Sequence, residues 1–320
     1  MKILFTDFAQ PDLVLEEEYL RHANLDWSEV TPHCQTPEEV IGHGAGHHAL
    51  VAQCAPITRE VFQSLPDLRI VSVPQIGIDT IDLTAAREHG VWVANVPAGN
   101  VTEVAAHALA MALALVRQLP AFDRDVRAGV WHYESAGPLR RPGNMTFALL
   151  GFGKIGQLVA ARAAPFFGRV VAYDPYLPAD AWPAGVERID TIPALFAEAD
   201  VLSLHLPLTD ESQGLVSGEL LGRMKPGSYL VNVARGPIVD TNAVIAALDS
   251  GQLGGAGLDV LPQEPPDPGD PILKHPKVIL SPHSAFYSVE SDAELRRTAL
   301  ENIVALVEKG RPHHVVVEGR

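Results

Sequence analysis

The sequence predicts an α/β fold with parallel sheets, divided between two domains. The chain has 320 residues, and a single hydrophobic core rarely extends over that length, so two domains are expected. Short apolar runs typical of buried strands alternate with helical stretches along the chain. Hydrophobic residues make up 47% and charged residues 20%, as in ordinary globular proteins.

The N-terminal part begins this alternation. Apolar runs at 3–5, 68–73 and 91–94 predict strands, and helices are predicted at 13–22 and 57–65. Strands separated by helices pair in parallel, which predicts a sheet covered by crossover helices.

Histidines and cysteines in this part raise the question of a metal. The segment 41–51 contains His43, His47 and His48, but no carboxylate or cysteine stands at ligand spacing. A surface loop and helix with incidental histidines is the preferred interpretation, and no metal is expected. Cys34 and Cys54 are predicted to be buried thiols without a disulfide.

A long Ala-rich helix is predicted at 102–117, ended by Pro120, followed by an irregular polar arm at 123–141. A second alternating block then runs to a final helix at 292–308. The strands predicted from here to the end of the chain are 146–150, 169–173, 201–204, 228–232, 255–258, 278–280 and 315–317.

Charge and hydropathy exclude some partners. The net charge of −15, with no basic run longer than Arg140-Arg141, argues against a nucleic acid. No apolar stretch reaches about 18 residues, so no membrane span is expected. The opening MKILFTD is typical of a strand and lacks the features of a signal peptide, which predicts a cytoplasmic protein.

The run GFGKIG at 151–156 follows the apolar strand TFALL and precedes a helix. This context predicts a dinucleotide site in a Rossmann domain. Gly151 would allow a tight turn, Gly153 a close approach of the pyrophosphate, and Gly156 close packing of helix on strand. The helix N-terminus would offer N–H groups to the phosphates.

Asp174 ends the next strand, RVVAYD. A carboxylate at this point accepts hydrogen bonds from ribose hydroxyls and repels a 2′-phosphate, so NAD is predicted rather than NADP.

Three ionisable residues follow later strands: Arg235 in VNVARG, Glu264 after GAGLDV, and His283 in SPH. Ligands of open α/β sheets bind at the carboxyl ends of strands. Arginine binds a carboxylate through two hydrogen bonds, and histidine is a proton donor near neutral pH. The set therefore suits reduction of a 2-oxo acid, although each residue alone could be a solvated surface group, and spacing leaves their convergence open.

The motifs resemble those of the D-isomer-specific 2-hydroxyacid dehydrogenase family, in family order, from about residue 68 onward. SPHSAFYS followed by ELRR is particularly similar to the C-terminal binding proteins and their bacterial dehydrogenase relatives. The segments that carry the resemblance are NVPAGNVTEVAAHALAMALAL, GFGKIG with YDP, HLPLT, NVARGPIVD, GLDV with QEP, and SPHSAFYS.

The resemblance implies residue roles. Arg235 would hold the substrate carboxylate, His283 would be the general acid in reduction and the base in oxidation, and Glu264 would pair with His283. Ile76 and Gly77 would offer backbone N–H groups to the substrate. Besides the glycines and Asp174, the implied cofactor positions are Lys154, Ile155 and His205, with Leu206 and Pro207 on the adenine side, and Asn100, Ala234 and Asp259 on the nicotinamide side.

The resemblance also implies a fold: a Rossmann NAD-binding domain (98–288) inserted into a flavodoxin-like substrate domain (1–97 plus 289–320), with the active site in the cleft. A homodimer through the Rossmann domain is implied, with the long helix and the polar arm as its candidate surfaces.

The chain departs from the family pattern in the substrate loop, where Gln75 replaces a glycine and Val73 stands where the C-terminal binding proteins have arginine. We expect Gln75 to influence substrate choice by hydrogen bonding, unless its side chain turns away. Phe286 stands where animal C-terminal binding proteins have tryptophan.

Two functions compete at this stage. The first is an NAD-dependent D-2-hydroxyacid dehydrogenase that reduces a small 2-oxo carboxylate to a 2-hydroxy carboxylate. The second is an NAD(H)-sensing binding protein, like a corepressor, with little turnover. The complete set of Arg235, Glu264 and His283 favours the enzyme. Glu264 also argues against formate as the substrate, since the formate enzymes of the family carry glutamine there.

Overall fold

A computed structural model describes residues 1–7, 13–29 and 33–320 of the protein. The chain divides into two compact units. The terminal unit contains Met1–Asn100 and Ser288–Arg320, and the central unit contains Val101–Tyr287. The terminal unit is therefore built from both ends of the chain. That it is the substrate domain stays a prediction.

The elements alternate as strands and helices. The strands are β1 (Lys2–Phe5), β2 (Asp26–Glu29), β3 (Ala49–Val51), β4 (Ile70–Ser72), β5 (Trp92–Ala94), β6 (Thr146–Leu150), β7 (Arg169–Tyr173), β8 (Glu187–Arg188), β9 (Val201–Leu204), β10 (Ser228–Asn232), β11 (Leu253–Leu258), β12 (Val278–Leu280) and β13 (Val315–Val317). The helices are α1 (Val14–His22), α2 (Pro37–Gly44), α3 (Arg59–Ser64), α4 (Leu83–His89), α5 (Val101–Val116), α6 (Leu119–Arg127), α7 (Lys154–Ala163), α8 (Ile192–Glu198), α9 (Gly218–Leu221), α10 (Thr241–Ser250) and α11 (Val289–Lys309).

The terminal unit contains one sheet in the order β2-β1-β3-β4-β5-β13. The first five strands are parallel, and β13 is antiparallel to β5. The parallel part has the order 2-1-3-4-5 of flavodoxin-like sheets, which confirms this half of the predicted fold class.

The central unit contains a parallel sheet in the order β12-β11-β10-β9-β6-β7-β8. The order reverses between β6 and β9, because β7 and β8 extend the sheet on one side of β6 and β9 to β12 extend it on the other. This is the doubly wound Rossmann topology, in which ligands bind at the reversal point. The Rossmann half of the predicted fold class is confirmed.

Helix α5 packs closely on the central sheet because β11 carries glycines. A Cβ at Gly255 would lie 2.9 Å from Leu115 Cδ2, and one at Gly257 would lie 3.1 Å from Met111 Cβ. Among the described helices, no single one is long and apolar enough to cross a membrane. α5 and α6 meet that length and hydropathy criterion only as a pair, which is bent by 58°.

Three local predictions were wrong. The segment 41–51, expected as a loop and helix, contains the buried strand β3. The arm expected to be irregular from 123 begins inside α6, because Pro120 lies in the first turn of that helix, where proline needs no N–H partner. Cys34 is a buried free thiol as predicted, but Cys54 is exposed.

Candidate active site

The dinucleotide run joins β6 to α7 at the reversal point of the central sheet. Gly151 has φ +90°, and a Cβ there would lie 2.5 Å from the carbonyl oxygen of His205, which follows β9. A Cβ at Gly156 would lie 2.5 Å from the carbonyl oxygen of Gly151. At Gly153, in contrast, no heavy atom lies within 4 Å of the Cβ position. The outer glycines therefore allow close packing, and the middle one leaves open space.

That open space lies at the N-terminus of α7. Gly153 is the N-cap, and no side chain caps the helix. Lys154 and Ile155 form the beginning of its first turn. An uncapped helix N-terminus beside open space suits a pyrophosphate, which requires N–H donors and a positive potential. The predicted phosphate-side residues therefore fit a dinucleotide.

Asp174, just beyond β7, is bound to the same loop. Its Oδ2 accepts a hydrogen bond from the Phe152 N–H at 2.7 Å. Its Oδ1 accepts from the N–H groups of Tyr176 at 2.8 Å and Leu177 at 3.2 Å. The carboxylate is thus fixed beside the glycine run, where the ribose of a bound dinucleotide is expected.

His205 directly follows β9, the strand on the other side of the reversal point. Its ring Nε2 lies 2.8 Å from Ser203 Oγ, and burial lowers its pKa to about 3, so the ring is neutral near neutral pH. Leu206 and Pro207 follow it in the chain. In the terminal unit, Asn100 is buried, and its Oδ1 has no hydrogen-bond partner within the described ranges.

Arg235 lies in a turn fixed by Asn232 at the end of β10. The Asn232 side chain donates to the Arg235 carbonyl at 2.9 Å and accepts from the Ala234 N–H at 3.0 Å. The next residue, Gly236, approaches the loop after β11 so closely that a Cβ would lie 2.0 Å from the carbonyl carbon of Leu261. The glycine therefore brings the Arg235 turn against the loop that carries Glu264.

Glu264 and His283 form a direct pair. His283 Nδ1 lies 2.6 Å from Glu264 Oε2, and Glu264 Oε1 accepts from the Leu261 N–H at 2.9 Å. Burial raises the pKa of Glu264, but the hydrogen bonds from His283 and Leu261 and the charges of His283 and Arg235 outweigh it, and the net pKa is lowered. The carboxylate is therefore ionised near neutral pH.

The turn that presents His283 depends on Asp259, at the end of β11. His283 has φ +51°, and its N–H donates to the Asp259 carbonyl at 2.8 Å. The Asp259 carboxylate, 1% exposed, accepts from Ser281 Oγ at 2.5 Å and from the N–H groups of Ser284 at 2.9 Å and Ala285 at 3.0 Å. The predicted nicotinamide contact of Asp259 stays a prediction, since this carboxylate is enclosed by the His283 turn.

Sequence reasoning overlooked two residues of this network. His107, on α5, places Nε2 2.9 Å from Ser281 Oγ and 3.7 Å from Asp259 Oδ1. The ring thus extends the hydrogen bonds that support the turn. No local pattern indicates this contact, because its partners are far apart in the chain. Asn232 was also overlooked, although its position directly before the Arg235 turn was a usable signal.

The predicted substrate loop lies in the terminal unit, after β4. The Gln75 side chain donates to the Gln53 carbonyl at 2.8 Å, and the Gln75 carbonyl accepts from the Val96 N–H at 3.1 Å. The Ile76 carbonyl accepts from the Asn95 side chain at 2.8 Å. Gln75 is therefore bound to the loop after β3, and its influence on substrate choice stays a prediction.

In the central unit, the structure brings Glu264 and His283 into contact and places Arg235 close enough for its charge to lower the pKa of Glu264. Gln75, Gly77 and the other predicted residues up to 100 belong to the terminal unit. Among the residues that the structure describes, no cluster of three or more potential metal ligands is found.

Comparison with known proteins identifies relatives of this architecture. Residues 109–285 match the family model described as D-isomer specific 2-hydroxyacid dehydrogenase, NAD binding domain. The chain is 39% identical over 272 residues to D-3-phosphoglycerate dehydrogenase from Mycobacterium leprae, which covers 84% of this chain and 51% of the relative. This chain thus spans about half the length of that relative.

Two further matches cover nearly complete chains. Glyoxylate reductase from Korarchaeum cryptofilum is 37% identical over 303 residues, covering 92% of this chain and 90% of the relative. The crystal structure of D-lactate dehydrogenase from Aquifex aeolicus, complexed with NAD and lactic acid, has a TM-score of 0.87 at 28% identity, covering 99% of this chain and all of the other. The chain belongs to the D-isomer specific 2-hydroxyacid dehydrogenase family, and residues 109–285 match the NAD-binding domain of that family.

Proposed function

We propose that this enzyme reduces a small 2-oxo carboxylate to the corresponding D-2-hydroxy acid, with His283 as the general acid. The observation that carries the proposal is the 2.6 Å hydrogen bond between His283 Nδ1 and Glu264, in a turn held beside the Arg235 loop. NADH, when bound, supplies the hydride that is added to the carbonyl carbon.

The Glu264–His283 pair determines where the proton lies. The ionised Glu264 carboxylate accepts from Nδ1 of His283, so the proton transferred to the carbonyl oxygen is carried by Nε2. The hydrogen bond between Nδ1 and Glu264 also fixes the orientation of the ring. In the reverse direction, the neutral ring accepts the hydroxyl proton.

Arg235 is the residue proposed to bind the substrate carboxylate, because a planar guanidinium matches a carboxylate with two hydrogen bonds. The N–H groups of Ile76 and Gly77 are proposed as further carboxylate donors. Asp174 is proposed to select NAD over NADP, because its fixed carboxylate repels a 2′-phosphate. Preferential use of NADPH would contradict that assignment.

A homodimer through the central unit is also proposed. Helix α6 and the chain after it expose large apolar side chains, which monomeric proteins usually cover. The exposed fractions are 57% for Leu119, 46% for Val126, 87% for Trp131 and 79% for Tyr133. A dimer in solution is the expected result of light scattering.

The test is NADH oxidation in the presence of glyoxylate, hydroxypyruvate, pyruvate and phenylpyruvate. We expect turnover with at least one of these 2-oxo acids, and formation of the D-hydroxy acid by chiral chromatography. Binding of NADH without turnover on any of them would contradict the proposal and support a nucleotide-sensing protein instead.

A further inference from the structure

His107 contacts the turn that presents the proposed general acid, and it does so from a different element of the central unit. It lies on α5, whereas the turn follows β12. Its Nε2 lies 2.9 Å from Ser281 Oγ and 3.7 Å from Asp259 Oδ1, and its side chain is 28% exposed. The ring has no part in the proton transfer or the carboxylate binding proposed above, so its function needs a separate explanation.

The direction of the hydrogen bonds in this cluster follows from what each group can donate. An ionised carboxylate only accepts, and Ser281 Oγ donates to Asp259 Oδ1 at 2.5 Å. Because this bond uses the single hydroxyl hydrogen of Ser281, the serine oxygen can only accept from the ring of His107. The neutral His107 ring therefore carries its proton on Nε2, and a chain of donors runs from His107 through Ser281 to Asp259.

Asp259 in turn binds the segment that contains His283. Its carboxylate accepts from the N–H groups of Ser284 at 2.9 Å and Ala285 at 3.0 Å, and its carbonyl accepts from the His283 N–H at 2.8 Å. His283 has φ +51°, a left-handed conformation that a residue other than glycine keeps only where surrounding contacts impose it. The position of the His283 ring therefore depends on the hydrogen bonds that hold residues 281–285.

Helix α5 is a rigid anchor for this chain of hydrogen bonds. Its Ala105 and Ala108 are fully buried, and its Met111 packs so closely on β11 that a Cβ at Gly257 would lie 3.1 Å from Met111 Cβ. Asp259 and Ser281 lie at the ends of β11 and β12. His107 therefore connects the turn to a helix that packs across the sheet, and not only to its own flanking strands.

We propose that His107 is a positioning residue for His283. Through Ser281 and Asp259 it holds the turn in the orientation from which His283 transfers its proton. The inference rests on the proposed function, because it takes His283 as the general acid. Without the hydrogen bond from His107 the turn can shift, and a small displacement of a reacting group lowers the rate of the chemical step strongly.

The test removes the donor and then restores it. His107→Leu keeps a bulky side chain on α5 but cannot donate to Ser281. We expect kcat for 2-oxo acid reduction to fall about 10- to 10²-fold, while KM for the acid and NADH affinity change by less than about twofold. His107→Gln, whose side-chain amide can donate to Ser281, is the matched conservative variant and should recover most of kcat.

Two outcomes of this comparison would overturn the inference. One is a normal kcat in His107→Leu, and the other is a His107→Gln protein that binds NADH normally but recovers no activity. Absence of turnover by the unchanged protein on every 2-oxo acid would instead refute the proposed function itself.

A double-mutant cycle separates positioning of His283 from a general structural role of His107. In the His283→Ala background, His107→Leu should lower the residual rate little further, because the ring that His107 positions is absent. An equal fold-loss in both backgrounds would show that His107 does not act through His283.

Ser281→Ala breaks the same chain of hydrogen bonds without changing α5. It should reproduce the loss of kcat expected for His107→Leu, and the double variant should lose little more than either single one. Ser281→Ala also decides the matter where His107→Leu does not fold, because a normal kcat in Ser281→Ala would overturn the inference.

Discussion

In both units the loops after parallel strands carry the residues assigned to ligands, yet the two sheet edges differ in charge. The central unit presents Lys154, Arg235 and the Glu264–His283 pair at strand ends. In the terminal unit, the loops at 52–58, 73–82 and 95–100 contain Asp79 and Asp82 but no lysine or arginine, and the buried Asp7 carboxylate accepts hydrogen bonds from backbone N–H groups. The central unit thus carries the groups proposed for proton transfer and carboxylate binding, whereas a loop of the terminal unit is ordered around a buried carboxylate.

The two edges are nevertheless stabilised in the same way, by a buried carboxylate that orders a loop. Asp259 binds the turn that presents His283, and Asp7 binds the loop at 53–55. In the central unit this order aims a reactive ring. In the terminal unit the same device occupies N–H groups that would otherwise attract an anion.

The largest expected effect tests whether His283, in the central unit, acts as the general acid. His283→Ala should lower kcat for 2-oxo acid reduction on the order of 10²–10⁴-fold, because the general acid acts in the chemical step. NADH affinity, measured by fluorescence titration, should stay close to that of the unchanged protein.

His43→Ala is the matched control, since His43 is an exposed histidine of the terminal unit. It should reduce neither kcat nor NADH affinity. If His283→Ala retained normal turnover, the proton would have to come from another group, and the assignment of chemistry to this turn would be wrong.

The second prediction distinguishes the glycine needed for cofactor binding from the glycine needed for folding in the run GFGKIG. Gly153→Ala places a methyl group in open space where the pyrophosphate is proposed, so NADH affinity should fall about tenfold with little change in Tm. Gly156→Ala places its Cβ 2.5 Å from a backbone oxygen, so unfolding free energy should fall by about 1–3 kcal/mol. Isothermal titration and thermal melts measure the two effects.

The reverse pattern would contradict the assignment. If Gly153→Ala lowered Tm and spared NADH affinity, the middle glycine would serve packing and the dinucleotide would lie elsewhere on the edge.

Strands that are buried along their whole length could be predicted from the sequence, whereas elements without a continuous apolar run were missed. Strands such as β6 and β9 are buried along their whole length and appear in the sequence as mainly apolar runs, TFALL and VLSL. The edge strand β2, with sequence DWSE, lacks such a run and was not predicted. Helix α6 was missed because Pro120 was taken as a stop, whereas proline is favourable in the first turn of a helix.

The site could be predicted where function requires a residue type at a strand end, as for Arg235 and His283. The supporting network could not, because hydrogen bonds such as the one between His107 and Ser281 join positions remote in sequence. The hydrogen bonds from the loop at 53–55 to Asp7 could not be predicted either, because they join loops that only the strand order places together.

The smallest expected effect tests whether Asp7 orders the loop at 53–55 in the terminal unit. Asp7→Asn replaces one carboxylate oxygen with an NH2 group, which then faces the backbone N–H donors at 53–55. The resulting unsatisfied donors should lower the free energy of unfolding by about 1–3 kcal/mol, measured by urea denaturation. Asp67→Asn, at an exposed position of the same unit, should change it by less than about 0.5 kcal/mol. Equal stability of the two variants would mean that the hydrogen bonds from 53–55 to the Asp7 carboxylate do not stabilise the fold.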